Sequence, residues 1–337
     1  MTTVVDGTGG RAGMQIFGRL SQEQIVFGLA MLLCLAFAAA LPGFLTTNNL
    51  LNLVRSVSIL GILGVAMGLV VIGRGIDLSL VALMAVSVAW TLHLVAGGMP
   101  LLQALAIGLA FSLVTGAVSG WLVAYVEIPA IFATLAMGTL IYGFGRYFLF
   151  GLDVVYMPEA AQALLWYGQG TLFGIPVPIY MFAGVCLGAH LFLRYAKSGR
   201  YLRAVGDNLH AARITGIPAR PIIVLQYVLS ALIGYTAGIV TAASVASMNT
   251  RVAISTYVYD VILVVVLGGI GLSGGKGGIR NVIVGTLLIG VLLNGMTIMD
   301  IQYTVQSVIK GIILLTAIVI DTILNPRDEQ TAQQGDI

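Results

Sequence analysis

Val70 to Trp90 reads VVIGRGIDLSLVALMAVSVAW, an apolar stretch carrying Arg74 and Asp77 in its first third. A charge in hydrocarbon costs a few kcal/mol even on lenient insertion scales, so two of them beside Gly73, Gly75 and Ser79 need a reason. A carboxylate here can couple transport to protons or sodium, line a polar path, or satisfy N–H groups where a helix is interrupted. Asp260 is the only other acid placed for ion coupling, and both acids fall near the ends of apolar runs.

GGIGLSGGKGG (Gly268–Gly278) invites a nucleotide-binding reading, because Gly269, Gly271 and Gly274 satisfy G-x-G-x-x-G. That motif needs a βαβ setting, and the flanks here are apolar runs. A Walker A loop needs Gly five residues before the Gly-Lys pair and Ser or Thr after it; Ile270 and Gly277 stand there instead. The stretch therefore reads as a tight turn between helices. His93, His190 and His210 stand far apart, and Cys34 and Cys186 lie inside apolar runs as small hydrophobes. No catalytic cluster, metal site or cofactor is expected, which removes a membrane enzyme.

The surroundings of these residues follow from composition. The chain has 337 residues, 59% hydrophobic and 9% charged, against roughly 25% charged in a soluble domain. So little charge cannot cover a globule, and most of the surface must face lipid. Continuous Ala-, Leu-, Gly- and Val-rich runs exclude a barrel, whose strands alternate, and leave helices. The 43 glycines suit helices that approach closely in lipid. The fold class is an all-α polytopic membrane protein.

The first run, 25–41, ends in AFAAALPG, which resembles a signal-peptidase site, but it exceeds a cleavable core and reads as an uncleaved helix. Further runs fall near 56–72, 78–96, 101–125, 130–150, 177–194, 222–246, 258–272, 282–299 and 305–324, giving ten helices. The expected domains are an N-terminal tail, 1–24, a transmembrane body, 25–324, and a C-terminal tail, 325–337. The segment 195–221 carries Lys197, Arg200, Arg203, Arg213 and Arg220, whereas the loop 151–176 has Asp153 and Glu159 and no basic residue. Positive charge stays inside, so the basic segment and both tails are expected to be cytoplasmic.

Within the basic segment, GDNLHAARITGI contains a short helical stretch, Leu209 to Thr215, with Asp207 or Asn208 as N-cap and Gly216 near its end. It can dock a partner or simply anchor the topology. In GRGIDLS, Gly73 and Gly75 loosen the backbone while Asp77 and Ser79 can cap the next helix, with Arg74 able to neutralise the acid. A polar wall along a transport path remains the other reading. In EIPAIFATL, Pro129 suits the first turn of a helix and Glu127 its positive dipole end. Asn294, inside a lipid-length helix, is expected to face the bundle.

GIDLS (Gly75–Ser79), GDNLHAARITGI, GGKGGIRNVIVGTLLIGVLLNGM and VIKGIILLTAIVID (Val308–Asp321), in that order, resemble the permease subunits of bacterial ABC importers for ribose and related monosaccharides. The resemblance runs from about Phe44 to Asn325. It implies a multi-pass inner-membrane subunit without catalysis, moving a monosaccharide or related polyol. The implied partners are ATP-binding cassette subunits, a periplasmic sugar-binding protein, a second permease copy or homologue, and the bilayer; no nucleic acid is implied. Gly206, Asn208, Ala211, Ala212, Arg213 and Gly216 match the family's ATPase-coupling segment. The sequence departs in having Arg74 where a glycine is common, and in Lys276 and Arg280, which suit a second ATPase contact. The alternative is an ion-coupled secondary sugar carrier, which needs acids such as Asp77 and Asp260 at mid-membrane.

Overall fold

The computed structural model describes residues 22–324; the two expected tails lie almost entirely outside them. Ten apolar helices build the body. They are α1 (Gln22–Ala40), α2 (Thr47–Ile72), α3 (Leu80–Ala96), α4 (Leu101–Ala124), α5 (Ala130–Phe144), α7 (Val177–Tyr195), α10 (Ala219–Val245), α11 (Tyr257–Leu267), α12 (Ile279–Ile298) and α13 (Tyr303–Leu324). Six of the described helices are long and apolar enough to cross a membrane: α1, α2, α4, α7, α10 and α12. The 26 residues of α2 reach about 39 Å, more than a hydrocarbon core requires.

Small residues decide which helices touch. Along α4, Ala104, Gly108, Ser112, Gly116, Gly120 and Ala124 recur every fourth position and are all buried. That spacing winds them slowly around the helix, so that Gly108 meets Thr91 and Ser87 of α3 while Gly116 and Gly120 meet α10. A Cβ at Gly116 would sit 2.6 Å from Ala231 Cβ and 2.8 Å from Tyr227 O. The Ser112 hydroxyl donates to Ala231 O at 3.1 Å. Close backbone approach is how helices associate where lipid removes the hydrophobic drive. The core centres on α2, whose residues from Leu60 onward are buried among α10, α11 and α12.

Several boundaries differ from the hydropathy pattern, each for a local reason. α2 begins at Thr47 rather than 56, because polar Asn48, Asn49, Asn52 and Arg55 ride on its first turns. α11 stops at Leu267, where the glycines of 268–278 begin. α5 widens into a π-helical turn over Gly145–Phe150, and Gly151 then closes it at φ 64. The stretch 151–176 is more than a loop. It holds β1 (Val154–Tyr156), a 3-10 turn (Glu159–Leu164), α6 (Leu165–Gln169) and a hairpin of β2 (Thr171–Leu172) and β3 (Ile175–Pro176).

Loops that the chain parity assigns to one side also meet in space. β1 pairs antiparallel with β4 (Ser247–Asn249), joining the segments that follow α5 and α10. Asp153 accepts from Arg146 at 2.8 Å and Arg251 at 2.9 Å there. The hydrogen bond to Asp153 raises the Arg251 guanidinium above its ordinary range. The segments after α2, α4 and α11 gather against the basic stretch 195–221.

Candidate functional site

The break between α2 and α3 leaves non-helical backbone inside the protein, and such backbone must find partners away from water. Gly75 N–H donates to Val70 O at 2.8 Å and Arg74 N–H to Val71 O at 2.9 Å. Asp77, only 3% exposed, supplies much of the rest. Its Oδ1 accepts from the Ser79 N–H at 3.1 Å and the Ser79 hydroxyl at 2.6 Å. Its Oδ2 accepts from the Ser230 hydroxyl of α10 at 2.8 Å. Thr134 of α5 takes the Leu78 N–H at 3.1 Å, and its own proton faces Ala130 O and Ile76 O at 2.8 and 3.2 Å. The Tyr227 hydroxyl reaches Ile76 O at 3.5 Å.

Arg74 and Asp77 are neighbours in sequence but not partners: no ion pair among the described residues joins them. Arg74 instead occupies a left-handed backbone position, φ 67, which explains why glycine suits it. The backbone there is packed tightly, since a Cβ on Gly274 would lie 3.0 Å from Arg74 Cα. Asp77 therefore relies on hydroxyls and backbone rather than on a countercharge.

The glycine loop after α11 closes onto this break. Gly275 N–H donates to Ile72 O, the orphan carbonyl at the end of α2, at 2.8 Å. Its backbone lies against Asp207, a Cβ on it falling 2.6 Å from Asp207 Cα. The loop manages this because Gly269, Gly274, Gly275 and Gly277 all take positive φ, a region other residues enter at a cost. Asn281 ties it shut, accepting from Gly278 N–H at 3.1 Å and donating to Gly268 O at 2.7 Å.

The basic segment folds as two helices, where the sequence suggested one short one. α8 (Lys197–Asp207) is amphipathic, burying Gly199, Leu202, Val205 and Gly206. α9 (Leu209–Ile214) follows at once, with the Asn208 side chain accepting from Ala211 N–H at 2.9 Å as N-cap. Gly216 then reverses the chain at φ 80. Of the six expected coupling residues, Gly206 and Ala212 are buried, Gly206 against Ile72 O and Gly275 N. Asn208, Ala211, Arg213 and Gly216 are exposed. The most exposed large apolar side chain of the segment is one the motif did not single out: Ile214, 87% exposed at the end of α9.

Glu127 does not cap α5. It sits at φ 63, and its carboxylate meets Arg220 of α10 at 2.9 Å, with the guanidinium over the Tyr125 ring at 5.5 Å. Pro129 is the residue before the first turn of α5, and its carbonyl accepts from Ala133 N–H at 3.1 Å. Tyr125, Arg213, Pro218 and Arg220 thus line one shallow recess beside α9.

Two expected polar residues lie elsewhere. Asn294 exchanges amide hydrogen bonds with Asn49 at 3.0 and 2.8 Å, near the opposite end of α2 from the break. Asp260 pairs with Lys310 of α13, Nζ to Oδ1 at 2.8 Å. The two acids an ion-coupled carrier needs are thus separately engaged. Sequence reasoning did not find Ser230, Thr134 or Lys310. A lysine seven residues into a lipid-length helix was a readable signal; the serine and threonine, ordinary in helices, were not. Among the described residues, no group of three His, Cys, Asp or Glu could hold a metal.

Comparison with known proteins fits this architecture. A family model described as "Branched-chain amino acid transport system / permease component" matches residues 49–318. The ribose import permease protein RbsC of Escherichia coli K12 is 35% identical over 295 residues, 87% of this chain and 92% of that protein. The L-arabinose transport system permease protein AraH of the same strain is 30% identical, covering 94% and 95%. The probable ABC transporter permease protein YphD, also from that strain, is 32% identical, covering 89% of each. No solved structure matches.

Proposed function

We propose a docking geometry for this chain, which belongs to the family of binding-protein-dependent ABC-importer permease components. The chain is a non-catalytic, multi-pass inner-membrane subunit of a sugar importer. The family description names branched-chain amino acids, but the relatives aligned over most of this chain are named for ribose and arabinose. A monosaccharide of that size, or a related polyol, is the cargo. ATP hydrolysis belongs to partner ATPase subunits, and a periplasmic binding protein delivers the sugar. Ten crossings with both tails in the cytoplasm, and a pore completed by a second permease copy or homologue, complete the reading.

The ATPase docks on α8–α9. The observation that carries this is one exposed aliphatic side chain on a braced base. Ile214 projects from α9 beside exposed Arg213, while Gly206 seats α8 on the break and the glycine loop and Ala212 turns the other side of α9 into the core. Apolar anchors ringed by polar residues dominate binding energy at interfaces. Lys276 and Arg280, at the edge of the glycine loop, supply a second contact. The buried members of the motif thus hold the base, and the exposed members meet the partner.

The test is co-purification of the ATPase with full-length chain. Ile214→Glu should leave the detergent-extracted yield of folded chain unchanged and reduce ATPase recovery and ribose uptake in liposomes by about tenfold or more, the scale of an interface hot spot. If Ile214→Glu binds and drives the ATPase as wild type does, docking through α9 is wrong.

A further inference from the structure

Asp260 on α11 and Lys310 on α13 are each 5% exposed, and together they form a buried ion pair. Lys310 Nζ donates to Oδ2 at 3.0 Å and lies 2.8 Å from Oδ1, a buried oxygen that accepts no hydrogen bond of its own. The Tyr303 ring stands 5.5 Å over the same ammonium. One turn before Asp260, Thr256 Oγ1 shares a hydrogen bond of 2.6 Å with the Tyr303 hydroxyl. Two polar links thus join the starts of α11 and α13.

Such a pair is a poor source of stability. Desolvating both charges offsets most of their attraction, and apolar residues of similar volume generally do as well. A chain with 9% charged residues that keeps two of them here points to a task other than holding the fold. The packing shows which task is available. α13 meets the rest of the described bundle chiefly through α11. Its outer face, with Val308, Ile312, Leu315 and Val319, is open. α11 in turn is gripped by α2 and α12, and a Cβ on Gly285 of α12 would collide with Val264 O.

The other end of α11 is the glycine loop, whose Gly275 donates to Ile72 O and packs on Asp207 of α8. α11 therefore runs from the base of the docking helices to the ion pair. We propose that Asp260 and Lys310 are positioning residues for transport, a clasp that makes α13 follow α11 when the docking segment moves. This rests on the docking reading above. An apolar contact between the two helices permits sliding along the seam. A directional pair of opposite charges in a low-dielectric setting fixes the axial register, the best-attested use of buried polar groups. Motion at α8 then reaches a helix that α8 does not pack against to any extent.

The test uses full-length chain reassembled in liposomes with its ATPase subunits and binding protein, and radiolabelled D-ribose and L-arabinose as probes. Lys310→Met alone strands a buried carboxylate and should lower folded yield. The apolar double variant Asp260→Leu/Lys310→Met leaves neither an unpaired charge nor a stranded polar group and should fold with near wild-type yield and basal ATP hydrolysis. Its sugar-stimulated hydrolysis and uptake should fall about fivefold or more, within the range over which single positions alter coupling. Lys310→Arg, which keeps the pair, should retain uptake. A double variant that transports like wild type overturns the proposal, because register then needs no charge. One that fails to fold also overturns it, because the pair then serves the fold. Ile214→Glu separates the two readings: if that variant binds and drives the ATPase as wild type does, the docking reading falls and this one with it.

Discussion

Replacing Asp77 by leucine removes three hydrogen-bond acceptances at once, those from the Ser79 N–H, the Ser79 hydroxyl and the Ser230 hydroxyl. The Ser230 hydroxyl lies on α10 and can turn to a carbonyl one turn back. The Ser79 groups sit at the mouth of α3, where no earlier helical carbonyl is available, and Ser79 is 1% exposed. Each stranded buried group costs about 1–3 kcal/mol, so the two at Ser79 cost about 2–6 kcal/mol. That is a large fraction of the roughly 5–15 kcal/mol by which domains are stable. Asp77→Asn behaves differently. Its Oδ1 still accepts from Ser79, and its Nδ2 meets a Ser230 hydroxyl that can accept as well as donate. Only the charge assistance is lost, about 1 kcal/mol. The assay is folded yield after detergent extraction with the midpoint of thermal aggregation, alongside sugar uptake in the reassembled importer. Asn should keep both and Leu should lose folded protein. A well-folded, inactive Asp77→Leu would sink the argument and place this carboxylate on the sugar path.

Gly116→Leu should reduce the folded yield sharply, at about 1–3 kcal/mol or more of overpacking, because even a Cβ there would lie 2.6 Å from Ala231 Cβ. Gly188→Leu, where nothing lies within 4 Å, should be neutral in the same assay; equal behaviour of the two would remove the α4–α10 seam. With Cys34 and Cys186 replaced by alanine, Arg200→Cys should react with an impermeant thiol reagent only from the cytoplasmic side. Ala160→Cys should react only from outside, and the reverse pattern would invert the topology and take the docking surface with it.

Composition alone determined that this chain is a helical membrane protein, because 9% charged residues cannot cover a water-exposed surface. Spacing determined more. Small residues every fourth position from Ala104 to Ala124 mark a close-packed strip, since that period drifts only about 40° per step around the helix. Asp207 or Asn208 was legible as the cap of the short stretch that follows, because capping is a contact between residues three apart, and the structure gives the role to Asn208. What lay beyond reach were partnerships across long chain separations. Arg74 and Asp77 look like an ion pair when read three residues apart, yet the acid turns to Ser230, 153 positions away. Glu127 looks like a helix-end charge and instead crosses to Arg220. Asp260 looks like a coupling acid until Lys310 is seen beside it. Nor could order along the chain show that the glycine loop closes on Ile72 and Asp207 and braces α8. Local hydrogen bonding and helical period are written in adjacent residues; which distant charge or hydroxyl arrives to satisfy a buried group depends on how the helices pack.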